Sequence, residues 1–125
     1  MNIAVWIVQG ILAFVFFMAG FMKISQPKET LIEKGMGYAE DFSAGQLRLI
    51  GILEVSGAIG LILPALTGIL PILTPIAAVG LILTMTGAAF THARRGGEIQ
   101  MLVINIVLLA LAFFVAYGRF LVVPL

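Results

Sequence analysis

Glu54 has the least ordinary setting of any residue in this 125-residue chain. It stands in the middle of Gly51-Ile52-Leu53-Glu54-Val55-Ser56-Gly57-Ala58, a stretch of apolar and small residues. Only 10% of the residues are charged, so a lone carboxylate there calls for a partner. Lys23 could pair with it, and Asn105, Thr84 and His92 are further candidates for a buried polar or ligand site, His92 also reading as an interfacial residue beside Arg94 and Arg95. The rest of the inventory is short. With no cysteine and a single histidine, the chain has no thiolate metal site, no iron–sulfur ligation, no thiol relay and no bis-histidine haem. No metal site is expected, and any redox cofactor would have to be borrowed. There is no nucleophile–base pair and no phosphate-binding loop, so a stand-alone enzyme is not the expectation.

The elements that must hold these residues are membrane helices. Hydrophobic residues make up 62% of the chain and mean hydropathy is +1.18, which leaves too little polar surface for a water-facing globule. The lipid bilayer is the expected partner; a net charge of +1 and the lack of any motif speak against nucleic acid. Four apolar runs, at about residues 3–23, 44–63, 72–92 and 98–117, are long enough to span, and short turns join them. These features predict an all-α, four-helix up-down membrane bundle in one domain. The first run has no basic stretch before it and no small-x-small site after it, so it is expected to be retained as a helix rather than cleaved.

Local signals mark the boundaries. Ser43-Ala44-Gly45-Gln46 fits a capping box, with Phe42 and Leu47 placed as its hydrophobic staple. Pro64 and Gly68 are expected to end the second span near Leu63, and Pro71 and Pro75 to open the third. Pro27–Lys34 reads either as a short amphipathic helix at the membrane surface or as a solvated loop.

Six of the seven basic residues fall on one side of this topology: Lys23, Lys28, Lys34, Arg48, Arg94 and Arg95. Arg119 alone lies on the other. The positive-inside rule therefore puts the charged loops in the cytoplasm and both termini outside. Arg94 and Arg95 serve as an orientation signal or meet anionic lipid headgroups.

Depth can be compared at ~1.5 Å per residue. Glu54 lies ~9 Å inward of Arg48, Asn105 ~10 Å inward of Glu98, and Thr84 ~12 Å inward of His92 on that rise. Three polar groups on three helices thus share a level. Because each Cα–Cβ bond tilts toward its helix N-terminus, Lys23 leans back into the bilayer and Glu54 leans to meet it. His92 leans inward too, and Asn105 toward it. A ligand site, a structural pair fixing helix register, and a protonated Glu54 bonded to Asn105 all fit this layer.

Small residues should let the helices approach: Gly80, Thr84, Ala88 and Thr91 on the third, Ser56 and Gly60 on the second, Ala13 and Gly20 on the first. Phe14, Phe16, Phe17, Phe21, Met18 and Met22 read as lipid-facing bulk or core, and would also suit a flat hydrophobic ligand beside Glu54.

Ala19-Gly20-Phe21-Met22-Lys23 followed by Arg48-x-x-Gly51-x-x-Glu54-x-x-Gly57-Ala58 resembles the DoxX-like family of small four-helix membrane proteins. The resemblance continues through Gly60-Leu61-Ile62-Leu63-Pro64, Gly87-Ala88-Ala89-x-Thr91-His92, Arg94-Arg95-Gly96, Asn105 and Ala116-Tyr117-Gly118-Arg119-Phe120. It implies a bacterial inner-membrane bundle in which Lys23, Glu54 and Asn105 match characteristic positions. Relatives are linked to quinone-coupled sulfur oxidation and to membrane oxidoreductase assemblies. The leading expectation is a non-catalytic binding or accessory subunit, with a quinone or other hydrophobic small molecule near Glu54 and an oxidoreductase subunit or a second copy as partner. A lipid-binding or assembly factor without a redox role is the alternative. A small proton- or cation-coupled transporter comes last.

Overall fold

The computed structural model describes residues 1–97 and 99–125; Glu98, one reference for the depth of Asn105, lies outside them. The chain forms α1 (Asn2–Ser25), α2 (Lys28–Glu33), α3 (Ala44–Thr67), α4 (Leu73–Arg95) and α5 (Ile99–Tyr117), with no strand among the described residues. A five-residue 3-10 turn, Gly37–Asp41, precedes α3, and a wider π-type turn, Gly118–Val122, follows α5. Four helices are long and apolar enough to cross a membrane: α1, α3, α4, and α5 with its π-type extension. Their outward faces carry the side chains that lipid would cover, among them Phe14, Leu83 and Phe113. Phe17, Met18 and Phe21 are exposed in the same way, whereas Phe16 is buried.

The local signals act as their chemistry requires. Ser43 Oγ accepts from the Gln46 N–H at 3.1 Å and Gln46 Oε1 accepts from the Ser43 N–H at 2.9 Å, so the box closes in both directions. Phe42 packs with Leu47, Leu31 and Ala39 in a small apolar cluster that closes the charged end. Leu31 supplies the buried edge of α2, which makes the Pro27–Lys34 stretch a helix with one anchored face. Gly35, at φ +96°, ends it in a conformation that disfavours other residues.

Pro64 does not stop α3, which runs on to Thr67 and is closed by Gly68 at φ +72°. Its missing N–H leaves the Gly60 carbonyl without the helical donor it would otherwise have. Thr74, fully buried at the start of α4, fills the gap: its Oγ1 donates to Gly60 O at 3.0 Å. A tertiary hydrogen bond thus lets the helix pass through the proline.

The main core, built on Val5, Leu12, Leu61, Ala78, Leu81, Ala112 and Val115, fills the half of the bundle away from the charged loops. Nearer those loops α1 and α3 are held at backbone contact. A Cβ on Gly20 would lie 2.6 Å from Gly51 O, and one on Gly51 2.7 Å from Gly20 O. Close approach therefore uses Gly20, Gly51 and Gly60, whose Cβ would meet Ala77. Of the other expected small positions, Ser56 is exposed and Gly80 has open space around it.

Candidate functional site

The five polar residues singled out in the sequence all line one cavity of about 510 Å³ between the apolar core and the Leu31 cluster. Every spanning helix contributes a wall. Lys23 comes from the C-terminal end of α1, Glu54 from α3, Thr84 and His92 from α4, and Asn105 from α5. Around them the wall is aliphatic and aromatic, with Phe16, Leu53, Met85 and Leu108. An apolar chamber with a few convergent polar groups is the usual form of a small-molecule site, and about 300–1,000 Å³ is its usual size.

Lys23 Nζ donates to Glu54 Oε1 at 2.6 Å, and both residues are buried, at 7% and 2% exposure. Such a pair is charge-neutral as a unit, which makes it tolerable in an apolar medium where either ion alone would not be. Tyr38 stands above the pair, its ring centroid 5.9 Å from Lys23 Nζ, and its ring meets that of His92 edge-on at 4.9 Å. His92 is 3% exposed and forms part of the cavity wall.

Asn105 does not bond to Glu54. Its Nδ2 donates to the Met85 sulfur at 3.2 Å, and its Oδ1 is buried without a partner. A thioether is a weak acceptor, so whichever way the amide is turned, one polar atom lacks a strong partner. Thr84 spends its hydroxyl proton on Gly80 O at 2.9 Å, one turn back, and presents only acceptor capacity to the cavity. Arg94 and Arg95 lie outside the cavity wall. Arg95 pairs with Asp41 at 3.0 Å and Arg94 lies over the Phe90 ring at 5.8 Å. Among the described residues no group of three or more His, Asp or Glu is placed to hold a metal ion.

Sequence reasoning missed Tyr38, which sits in a short 3-10 turn with no periodicity to reveal its direction. It also missed a second polar cluster at the other end of the bundle. Arg119 Nε donates to Gln9 Oε1 at 2.7 Å and Nη1 donates to Asn2 Oδ1 at 2.7 Å and to Val123 O at 3.0 Å. Gln9 in turn donates to Leu61 O at 2.6 Å. The available signal was Gln9, the one polar interruption of the first apolar run.

The fold defines a multi-pass integral membrane protein, a four-helix bundle with a largely apolar cavity whose lining includes an ion pair. The DoxX-like family profile matches residues 7–115, and the chain belongs to that family. No curated protein and no solved structure matches the chain.

Proposed function

We propose that this protein is a non-catalytic binding subunit that holds an apolar molecule with a polar head in the cavity beside Lys23 and Glu54. The observation that carries the reading is the cavity itself: about 510 Å³, apolar over most of its wall, with the ion pair and the unpartnered Asn105 Oδ1 in it. A buried polar atom without a partner costs roughly 1–3 kcal/mol, and a ligand hydrogen bond would recover part of it.

A quinone fits this chemistry. Its ring and tail suit Phe16, Leu53 and Leu108, while the Lys23 ammonium and the Tyr38 hydroxyl carry donors for its carbonyl oxygens. When bound, a quinone would supply the capacity to accept electrons; the chain's own residues only bind and orient it. This favours an accessory role beside a membrane oxidoreductase in a bacterial inner membrane, and the placement of six of the seven basic residues favours charged loops in the cytoplasm with both termini outside. Pairing of Glu54 with Lys23 speaks for binding over cation transport, because the carboxylate is already neutralised. The test is thermal stability in non-ionic detergent with added ubiquinone or menaquinone. Stabilisation that Glu54→Gln weakens supports the reading, and no shift with either quinone contradicts it.

A further inference from the structure

Arg119 lies at the end of the bundle away from Lys23 and Glu54. Its residue is 3% exposed, yet no acidic partner pairs with it among the described residues. Glu29, Glu33, Glu40 and Asp41 all lie between α1 and α3, in the charged loop, and Glu54 is held by Lys23. The guanidinium is instead surrounded by neutral acceptors, Gln9, Asn2 and the Val123 carbonyl, with the Trp6 ring 5.3 Å away. These take Nε and Nη1, and Nη2 is buried with no partner at all. A guanidinium cannot shed its charge as a buried lysine can, so a counter-anion is the remaining way to neutralise it.

The surroundings suit an anion. Arg119 forms part of the wall of a cavity of about 200 Å³ with Pro71, Ile72, Pro75, Pro124 and Leu125. Ile72 and Pro75 lie at the start of α4. The cavity is smaller than the ~300–1,000 Å³ typical of drug-sized ligands, which suits a compact group. The exposed tail residues Pro124 and Leu125 complete the lining.

We propose that this pocket binds one phosphate-type anionic group, with Nη2 of Arg119 as its principal donor. An anionic phospholipid headgroup and a free phosphate share that chemistry. Phosphate and guanidinium form charge-assisted hydrogen bonds with geometry that ammonium does not reproduce.

The full chain in non-ionic detergent would be titrated separately with phosphatidylglycerol, phosphatidylcholine and inorganic phosphate, following thermal unfolding. Phosphatidylglycerol or inorganic phosphate should raise the midpoint, and Arg119→Gln should weaken the apparent affinity about tenfold. Lys34→Gln, on an exposed residue at the charged end, should leave it unchanged. A response to phosphatidylglycerol but not to equal inorganic phosphate assigns the site to a lipid headgroup; a response to inorganic phosphate assigns it to the free anion. If neither probe acts, if phosphatidylcholine acts equally, or if the response survives Arg119→Gln, the proposal fails. Hydrogen exchange on the unmodified chain removes dependence on the variant's folding. The anion should protect the segment 118–125, and protection confined to residues 90–97 would overturn the assignment.

Discussion

Gly20 of α1 faces Glu54 of α3, and Lys23 of α1 faces Gly51 of α3. A Cβ on Gly20 would lie 3.0 Å from the Glu54 Cβ, and one on Gly51 would lie 2.9 Å from the Lys23 Cβ. In antiparallel helices this crossed arrangement offsets the two charges by about one turn. The N-terminal tilt of each side chain then closes the offset, because the two helices tilt their side chains toward each other. The glycines set the helix separation at which lysine and glutamate meet at 2.6 Å.

Enlarging Gly20 should therefore damage both packing and pairing. Gly20→Val places atoms where the Gly51 carbonyl already stands, and overpacking of this kind costs about 1–3 kcal/mol. Gly10→Ala, with open space around it, should be neutral or mildly stabilising. Unfolding midpoints of the two variants in detergent check this; equal midpoints would show that the close approach is not needed.

The ion pair should be strongly non-additive. Glu54→Gln or Lys23→Met alone leaves a buried charge and should destabilise by about 3 kcal/mol. Combining Lys23→Met with Glu54→Leu should recover most of that loss, since apolar replacement of a whole buried pair is often neutral. A double-mutant cycle measures the coupling, and simple additivity would show that the two residues act separately.

Thr74 should matter only because Pro64 is a proline. Thr74→Val removes the donor to Gly60 O and should cost about 1 kcal/mol. In a Pro64→Ala background the restored N–H can serve that carbonyl, so the same substitution should cost clearly less. An equal cost in both backgrounds would contradict this account of the helix's passage through Pro64.

Asn105 should trade stability against binding. Asn105→Leu removes a buried acceptor with no partner, so the ligand-free protein should be as stable as the original or more so. Stabilisation by an added quinone should fall. A substitution that lowers ligand-free stability and leaves the ligand effect intact would make Asn105 a structural residue.

What the sequence made legible depended on how local each signal was. The Ser43–Gln46 box spans three residues and could be read without knowing the fold. Meeting of Lys23 and Glu54 followed from two general facts, the alternation of spans and the tilt of side chains. Pro64 was misread as a stop because its remedy, the Thr74 hydroxyl, lies on the next helix. Arg119 and Gln9 are 110 residues apart, and nothing local to either points to the other. Asn105 lines the cavity, and its bond to Met85 depends on side-chain packing between α4 and α5 that periodicity does not encode.

Native mass spectrometry of gently purified protein tests the binding role most directly, with Gly87→Phe as the comparison. Gly87 lines the cavity and a Cβ there meets nothing within 4 Å, so a side chain can be added at its rim without displacing backbone. The account predicts a hydrophobic small molecule retained one-to-one by the unmodified chain and lost from Gly87→Phe, with the fold intact. An empty unmodified chain that also fails to take up added quinone, or a ligand retained equally by both proteins, would contradict it.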